Sequence, residues 1–406
     1  LAVAEIAAPP APAADEVQVA VKAVALNHID VWGWRGMAFA RRRLPIVVGA
    51  EAAGVVVARG SEVAGLAVGD VVALYGAQTC GTCKACRDGR DNFCDRIDNI
   101  YGFHIDGFLR ERLNIPARLA VKAPAGLDTT SASLAPITFG TAEHMLFDNA
   151  KLEAGETVLV QAGGSGVGSA AIQLAKAAGA TVIATVGSDE KVQKALRLGA
   201  DHVINYRSER FEGRVRKLTD RKGVDVVFEH VGPQTWQGSL LSLKRGGRLV
   251  TCGSTTGIAA STNLNLIYQM QLRILGSFGC RLTNMQAALD KLARGAVRPV
   301  IDTEIEASQF SAALERLESR DVFGKIVVAR KNGAPVRLEQ LARVADGAQE
   351  IDSLALYNGE RTLLLTVQKA QDENTIEVID GLRKTWPKWA RNCRPASAWS
   401  RSPTAP

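Results

Sequence analysis

A chain of 406 residues is too long for one hydrophobic core, and 47% apolar with 22% charged residues suits folded domains rather than disorder. The formal charge of +7 comes from scattered lysines and arginines, with one run at Arg41-Arg42-Arg43 and no aromatic interleaving, so a nucleic-acid partner is not expected. Charged residues interrupt each apolar run before the ~18 residues that a bilayer crossing needs, so a membrane is not expected either.

The opening LAVAEIAAPPAPAADE has no basic leader, which makes the cytoplasm the expected compartment. A start at Leu1 rather than Met suggests that an initial strand is missing. To about residue 139 the chain reads as short β segments, such as VQVAVKAV from Val17, separated by Gly, Pro and Asp turns. From Glu156 the texture becomes strand, glycine loop, helix: ETVLVQA, GGSGVG, SAAIQLAKAAGA, then the strands TVIATV, DHVINY, VDVVFEHV and GGRLVTCG. That alternation predicts a doubly wound parallel sheet and an α/β fold. After about Leu282, a helix over 285–294 and a mixed segment to Arg330 are expected to return to the first, mainly β domain.

Cys80, Cys83, Cys86 and Cys94 have the spacing C-x2-C-x2-C-x7-C, which lets one loop wrap four thiolates around a tetrahedral ion. Two disulfides are the alternative, disfavoured in a reducing compartment. Four sulfur ligands leave a zinc ion no open position, so its expected role is structural. Cys252, Cys280 and Cys393 are isolated and read as ordinary thiols.

Gly163, Gly164, Ser165, Gly166, Val167 and Gly168 lie between a Val/Leu strand and an Ala-rich helix, the context in which a glycine loop binds a dinucleotide. Missing β-carbons let a pyrophosphate approach backbone amides at the positive end of the helix. Ser165 stands where a strict GxGxxG has glycine, and a purely structural turn is the alternative reading. The second strand ends Thr185-Val186-Gly187-Ser188, with no carboxylate before Asp189 to hold a ribose 2′-hydroxyl. Ser188, Lys191 and Tyr206 or Arg207 could instead surround a 2′-phosphate, so NADPH is expected, with NADH possible; Lys191 could equally be a solvated helix residue.

ALNHIDVWGWRG (25–36), LPIVVGAEAAGVV (44–56), KLEAGETVLVQAGGSGVGSAAIQLAK (151–176), GADHVINY (199–206) and VFGKIVV (322–328) resemble the medium-chain dehydrogenase/reductase superfamily, closest to its quinone-oxidoreductase and zinc-binding alcohol-dehydrogenase-like branch. The resemblance implies a GroES-like catalytic domain at 1–139 plus 283–330, with a zinc lobe at 80–94. A Rossmann domain at 140–282 would be inserted into it, and residues 331–406 would form an extension. It also implies Asn27, His28 and Asp30 on the cleft floor near the nicotinamide, Thr141 beside it, and Gly324 and Lys325 near the cofactor. His28 is a candidate proton donor because its ordinary pKa lies near neutrality.

The catalytic zinc ligands of alcohol dehydrogenases are replaced here by Asn27, Ala50 and Ile137. The expected activity is therefore hydride transfer from NADPH to a quinone or α,β-unsaturated carbonyl, a small-molecule substrate, without catalytic zinc. A zinc alcohol dehydrogenase and a catalytically silent dinucleotide sensor are the alternatives. By the same resemblance QLRILGSFG (271–279) would pair with its copy in a homodimer. His104, His144, His202 and His230 lack ligand-like spacing and read as structural.

Residues 334–382 resemble a piece of the periplasmic pore region of resistance-nodulation-division efflux pumps. Transport is not expected without membrane helices carrying proton-relay carboxylates, and a fusion, frameshift or assembly join would explain the change of texture. The last stretch, TWPKWARNCRPASAWSRSPTAP, is expected to be disordered.

Overall fold

The computed structural model describes residues 1–36, 44–97 and 99–329 and the strands Ala355–Tyr357 and Glu360–Thr362. The Arg41-Arg42-Arg43 run, Cys393 and the final 22 residues lie outside the described residues. Two compact units divide the chain, Leu1–Pro335 and Val336–Pro406; in the second, Ala355–Tyr357 pairs antiparallel with Glu360–Thr362.

In the first unit the period-2 pattern of EVQVAVKAVA forms the strand Glu16–Ala25, which buries Val17, Val19, Val21 and Ala23 on one face. Each fully buried valine contributes about 1.5–3 kcal/mol. This strand is the hub of a seven-stranded sheet ordered Ile301–Ile305, Lys325–Ala329, Glu16–Ala25, Ala52–Arg59, Val71–Leu74 and Ala120–Lys122, with Arg112–Pro116 also paired to Glu16–Ala25. Strands from near both ends of the unit thus share one sheet, with the alternating segment looped out between them.

That segment builds a second, wholly parallel sheet ordered Arg273–Gly276, Leu243–Thr251, Val224–Glu229, Thr157–Val160, Thr181–Val186 and His202–Asn205. Sequence order reverses between Val224–Glu229 and Thr157–Val160, and a crevice at the carboxyl ends of such strands is where doubly wound sheets bind ligands. The fold is α/β: a mainly β part, as the resemblance implies for a GroES-like domain, and a Rossmann-like parallel sheet, as the alternation predicts.

Between the sheets a helical segment covers residues 129–149, with wide i→i+5 turns at Ala135–Phe139 and His144–Asn149. Such turns release amides from the regular ladder and recur at functional sites. Strand Lys325–Ala329 is entered through Gly324, whose φ of +97° and contact with the Val300 carbonyl leave no room for a β-carbon. This glycine lets the chain turn beneath the glycine loop, where the Gly324 amide donates to the Gly164 carbonyl at 2.8 Å.

Candidate active site

The glycine loop leaves the strand Thr157–Val160 and enters the helix Gly166–Ala177. Ser165 caps that helix, its Oγ accepting from the Gly168 amide at 3.0 Å, so the residue that breaks the strict glycine pattern satisfies a first-turn donor. A β-carbon at Gly168 would collide with the Ala162 carbonyl, and one at Gly164 would press on the Phe323 ring at 3.1 Å. A buried chain fixes the loop from behind. Ser239 Oγ donates to Glu229 Oε2 at 2.6 Å, Gln161 Nε2 to Ser239 at 3.0 Å, Thr185 Oγ1 to Gln161 at 2.7 Å and the Ala162 amide to Thr185 at 3.1 Å. The free amides at the start of the helix and the missing β-carbons fit a pyrophosphate.

In front of the loop opens a cavity of about 900 Å3 between the two sheets, within the size range of ligand sites. Asn27, His28 and Trp32 reach it from one side, Ile137 and Thr141 from the 129–149 segment, and Gly187, Lys191, Tyr206 and Arg207 from the far end. Tyr206 packs so closely on Gly187 that a β-carbon there would meet its hydroxyl at 2.5 Å.

At the cavity floor Glu51 is fully buried and surrounded by donors. The amides of Ile137 and Thr138, freed by the wide turn, donate to Oε1 at 2.8 and 2.5 Å, and Thr138 Oγ1 donates to Oε2 at 3.0 Å. Asn27 Nδ2 donates to the same Oε2 at 3.0 Å, and Lys325 Nζ forms an ion pair with it at 3.0 Å. Lys325, itself 5% exposed, also donates to Asn27 Oδ1 at 2.7 Å and to the Leu26 carbonyl. Two of the ammonium's three protons are hydrogen-bonded in this way, and its charge is paired with Glu51. The positions that resemblance aligns with catalytic zinc ligands thus hold an amide, a methyl and an isoleucine around a carboxylate with four hydrogen-bond donors and an ion-paired ammonium. This donor set does not fit a reactive metal ion.

The four lobe sulfurs converge, all within 4.8 Å of one another, with Cys80 and Cys86 at 4.0 Å. A sulfur-ligated zinc with bonds of about 2.3 Å spans a similar edge, so these residues fit such an ion. Amides point at the sulfurs, Cys83 to Cys80 at 3.2 Å and Cys80 to Cys94 at 3.2 Å. The Cys83 and Thr82 amides draw Cys80 down to about 5, whereas desolvation pushes Cys86 up to about 12.

This architecture has close relatives. Residues 13–125 match the family described as alcohol dehydrogenase GroES-like domain, and residues 166–294 that described as zinc-binding dehydrogenase. The chain is 32% identical to the acryloyl-coenzyme A reductase of Metallosphaera sedula over 79% of this chain and 93% of that protein. It belongs to the medium-chain dehydrogenase/reductase superfamily. A quinone oxidoreductase of Pseudomonas aeruginosa is 32% identical over the same shares of the two chains, 79% and 93%. Among solved structures an NAD-dependent alcohol dehydrogenase has a TM-score of 0.75 at 38% identity, covering 80% of this chain and 95% of the other. Like its relatives, this dehydrogenase/reductase is an NAD(P)H-dependent oxidoreductase of small molecules. A further match, to the AcrB/AcrD/AcrF family, spans residues 274–396 and overlaps the dehydrogenase match; no helix among the described residues is long and apolar enough to cross a membrane.

Within this dehydrogenase/reductase the expected residues take unequal places. Asn27, His28, Thr141, Gly164, Ser165, Gly166, Val167, Lys191, Tyr206, Gly324 and Lys325 all line the cavity. Gly163 and Gly168 shape the loop from behind, the Gly163 amide donating to the Thr185 carbonyl at 2.8 Å. Asp30 is buried behind Asn27, whose amide donates to its Oδ2 at 2.8 Å, and is not a lining residue. Ser188 caps the helix Asp189–Arg197. Lys191 donates Nζ to the Arg320 and Val322 carbonyls at 2.7 and 3.0 Å, and burial lowers its pKa. His28 departs most from expectation: burial, then the charges of His230, Lys325 and Arg320, push it down to about 4, so the ring is neutral at pH 7. His230, read as structural, also lines the cavity and donates Nε2 to the Gln161 carbonyl at 3.0 Å.

Removing the cation from the floor leaves Glu51 buried and uncompensated. Lys325→Met is expected to lower unfolding stability by about 3–5 kcal/mol, and Lys325→Met with Glu51→Gln to recover more than half of it, measured by urea denaturation. Desolvation holds Asp30 up at about 6. Its folded-state pKa exceeds the unfolded one, so the proton stabilises fully below about pH 4 and that contribution is lost as pH rises through 6. Relative to Asp30→Asn, the wild type should lose on the order of 3 kcal/mol between pH 4 and 7 in denaturation curves. The opposite slope from His28 is common to both proteins and cancels.

Proposed function

We propose that the chain is an NADPH-dependent reductase of quinones or α,β-unsaturated carbonyl compounds, with no metal at the reacting centre and a zinc ion in the cysteine lobe. The observation that carries this reading is the saturated Glu51–Lys325–Asn27 floor, which has no vacant ligand for a Lewis-acid ion. Relatives named for acryloyl-coenzyme A and for quinones are consistent with a conjugated acceptor.

When bound, NADPH supplies a hydride to an electron-poor carbon. The helix Gly166–Ala177 receives the pyrophosphate at its amino end. Tyr206 and Arg207, exposed at the far end of the cavity, and Lys191, part-buried beside them, offer a hydroxyl and cations to a 2′-phosphate, and Asp189 turns away to accept from Asn205 Nδ2 at 2.7 Å. Asn27, clamped between Glu51 and Lys325, and Thr141 orient the ring and the acceptor, while Trp32, Ile97, Ile100 and Ile137 exclude water. His28, neutral at pH 7, orients the acceptor oxygen by hydrogen bonding rather than carrying an excess proton.

The purified protein should oxidise NADPH with quinones or enones at least tenfold more efficiently than NADH and carry about one zinc per chain. Alcohol or aldehyde turnover with two zincs per chain would overturn the reading, and cofactor binding without turnover of any acceptor would leave a sensor.

We also read the enzyme as a homodimer. The strand Arg273–Gly276 is an edge of the parallel sheet and has exposed apolar neighbours, Leu264 at 70%, Tyr268 at 66% and Phe278 at 53%. Ile274→Lys should convert a dimer-sized elution peak to monomer size in size-exclusion chromatography; a wild type that elutes as monomer across concentrations removes the proposal.

A further inference from the structure

The helix Phe310–Glu318 ends on a turn in which the Arg320 amide donates to the Leu317 carbonyl at 3.2 Å and the Asp321 amide to the Arg316 carbonyl at 3.1 Å. That pairing puts the residue between them in the left-handed region, and Arg320 has a φ of +62°. Glycine is the usual occupant of such a position, because a β-carbon there is crowded by the backbone. Side chains held against that crowding concentrate at ligand clamps. The chain on either side of the turn is pinned. Lys191 donates Nζ to the carbonyls of Arg320 and Val322 at 2.7 and 3.0 Å, and the Gly324 amide donates to the Gly164 carbonyl at 2.8 Å. Arg320 therefore lines the cavity just before the chain meets the glycine loop.

Five lysines and arginines among the described residues line this cavity: Lys191, Arg207, Arg210, Arg320 and Lys325. Three of them are committed, Lys325 to its ion pair with Glu51, Arg210 to Glu212 at 2.7 Å, and Lys191 to the two carbonyls. The guanidinium groups of Arg207 and Arg320 have no hydrogen bond or ion pair with a described residue. Arg207 stands beside Tyr206, at the end of the cavity assigned to the 2′-phosphate. Arg320 stands nearer the middle: Lys191 holds its carbonyl from the far end, while its charge is felt by His28, which enters from the other side. Between those two sides lies the glycine loop, where Ser165 is bridged to Gly324. The helix Gly166–Ala177 offers a pyrophosphate amides and a partial positive charge, but no full one.

We infer that Arg320 binds the pyrophosphate of the dinucleotide, supplying the cation that the glycine loop lacks. This rests on the reading of the cavity as a dinucleotide site and needs nothing from the acceptor. Arginine suits the task because its planar fork can make two parallel bonds to phosphate oxygens, where an ammonium gives a single point of charge. The grip of Lys191 on the Arg320 carbonyl fixes the backbone from which that fork projects.

The test is binding of NADPH and of NADH to the full-length protein by fluorescence titration, for Arg320→Gly and Arg320→Gln. Glycine relieves the left-handed backbone, so an arginine with only a structural role would leave both affinities as they are. Arg320→Gly is expected to keep or raise the urea midpoint of the free protein, yet to raise the Kd of NADPH and of NADH alike by about tenfold. Because a charge contact is screened, the gap from wild type should narrow as sodium chloride is added. Unchanged Kd values overturn the inference, and so does a loss confined to NADPH, which would move the arginine to the 2′-phosphate. If the glycine variant does not fold, Arg320→Gln, which keeps the β-carbon and loses the charge, decides by the same two readings. A wild type that binds neither dinucleotide defeats the dinucleotide reading itself, whereas a wild type that binds both alongside unaffected variants defeats only the role of Arg320.

Discussion

The buried ion pair of Lys325 and Glu51 is the constraint around which the rest of the site is arranged. Lys325 opens the strand Lys325–Ala329, Glu51 precedes the strand Ala52–Arg59, and Asn27 follows the strand Glu16–Ala25, so one cluster ties three strands of the first sheet at a single level. The fourth participant is the 129–149 segment, which crosses toward the parallel sheet and would leave two amides without partners at its wide turn if Glu51 did not accept them. A charge this deeply buried is tolerated only when paired and hydrogen-bonded, and Glu51 meets both conditions. The lysine stem runs under the glycine loop, close enough that a β-carbon on Gly166 would strike it. Cofactor loop and cavity floor are therefore fixed by the same side chain.

This arrangement explains why several residue types cannot vary independently. Gly324 must be glycine for Lys325 to enter beneath the loop, because its φ is positive and the Val300 carbonyl fills the space of a side chain. Gly164 must be small for Phe323 to close over it, and Lys191 pins that closing segment by taking the carbonyls of Arg320 and Val322. A lysine that the sequence offers either to a phosphate or to solvent thus has a structural duty, and its lowered pKa follows from the burial that this duty imposes.

What could be read from the sequence was local. The four cysteines fall within 15 residues and the glycine loop within six, and in both cases the spacing itself carries the geometry. Alternation of strand and helix likewise foretold the parallel sheet. What could not be read was distance along the chain: Glu51 and Lys325 are 274 positions apart, Asn92 and Phe278 186, and no period or motif links them. His28 shows a second limit, since an ordinary imidazole pKa was the only available assumption until burial and three cationic or titratable neighbours moved it to about 4. His144 and His230 lacked ligand spacing: the first meets Asp148 one turn along its own helical segment, and the second reaches the Gln161 carbonyl from the end of the adjacent strand of the parallel sheet.

The commitment of every strong donor at the floor bears on which acceptors suit the proposed chemistry. As hydride arrives at a carbon, negative charge grows on the group conjugated to it, and a site can help by presenting a metal ion or an uncommitted cation. Lys325 is hydrogen-bonded to Asn27 and Leu26 and ion-paired with Glu51, and His28 is neutral at pH 7. The field of the cation is felt, but Glu51 largely cancels it at a distance. An unconjugated ketone would receive little electrophilic assistance from such a floor. A quinone or an enoyl carbonyl brings its own electron sink, so that what it needs from the protein is orientation against the nicotinamide and exclusion of water. A clamped amide, a buried threonine and walls of isoleucine and tryptophan are suited to that task.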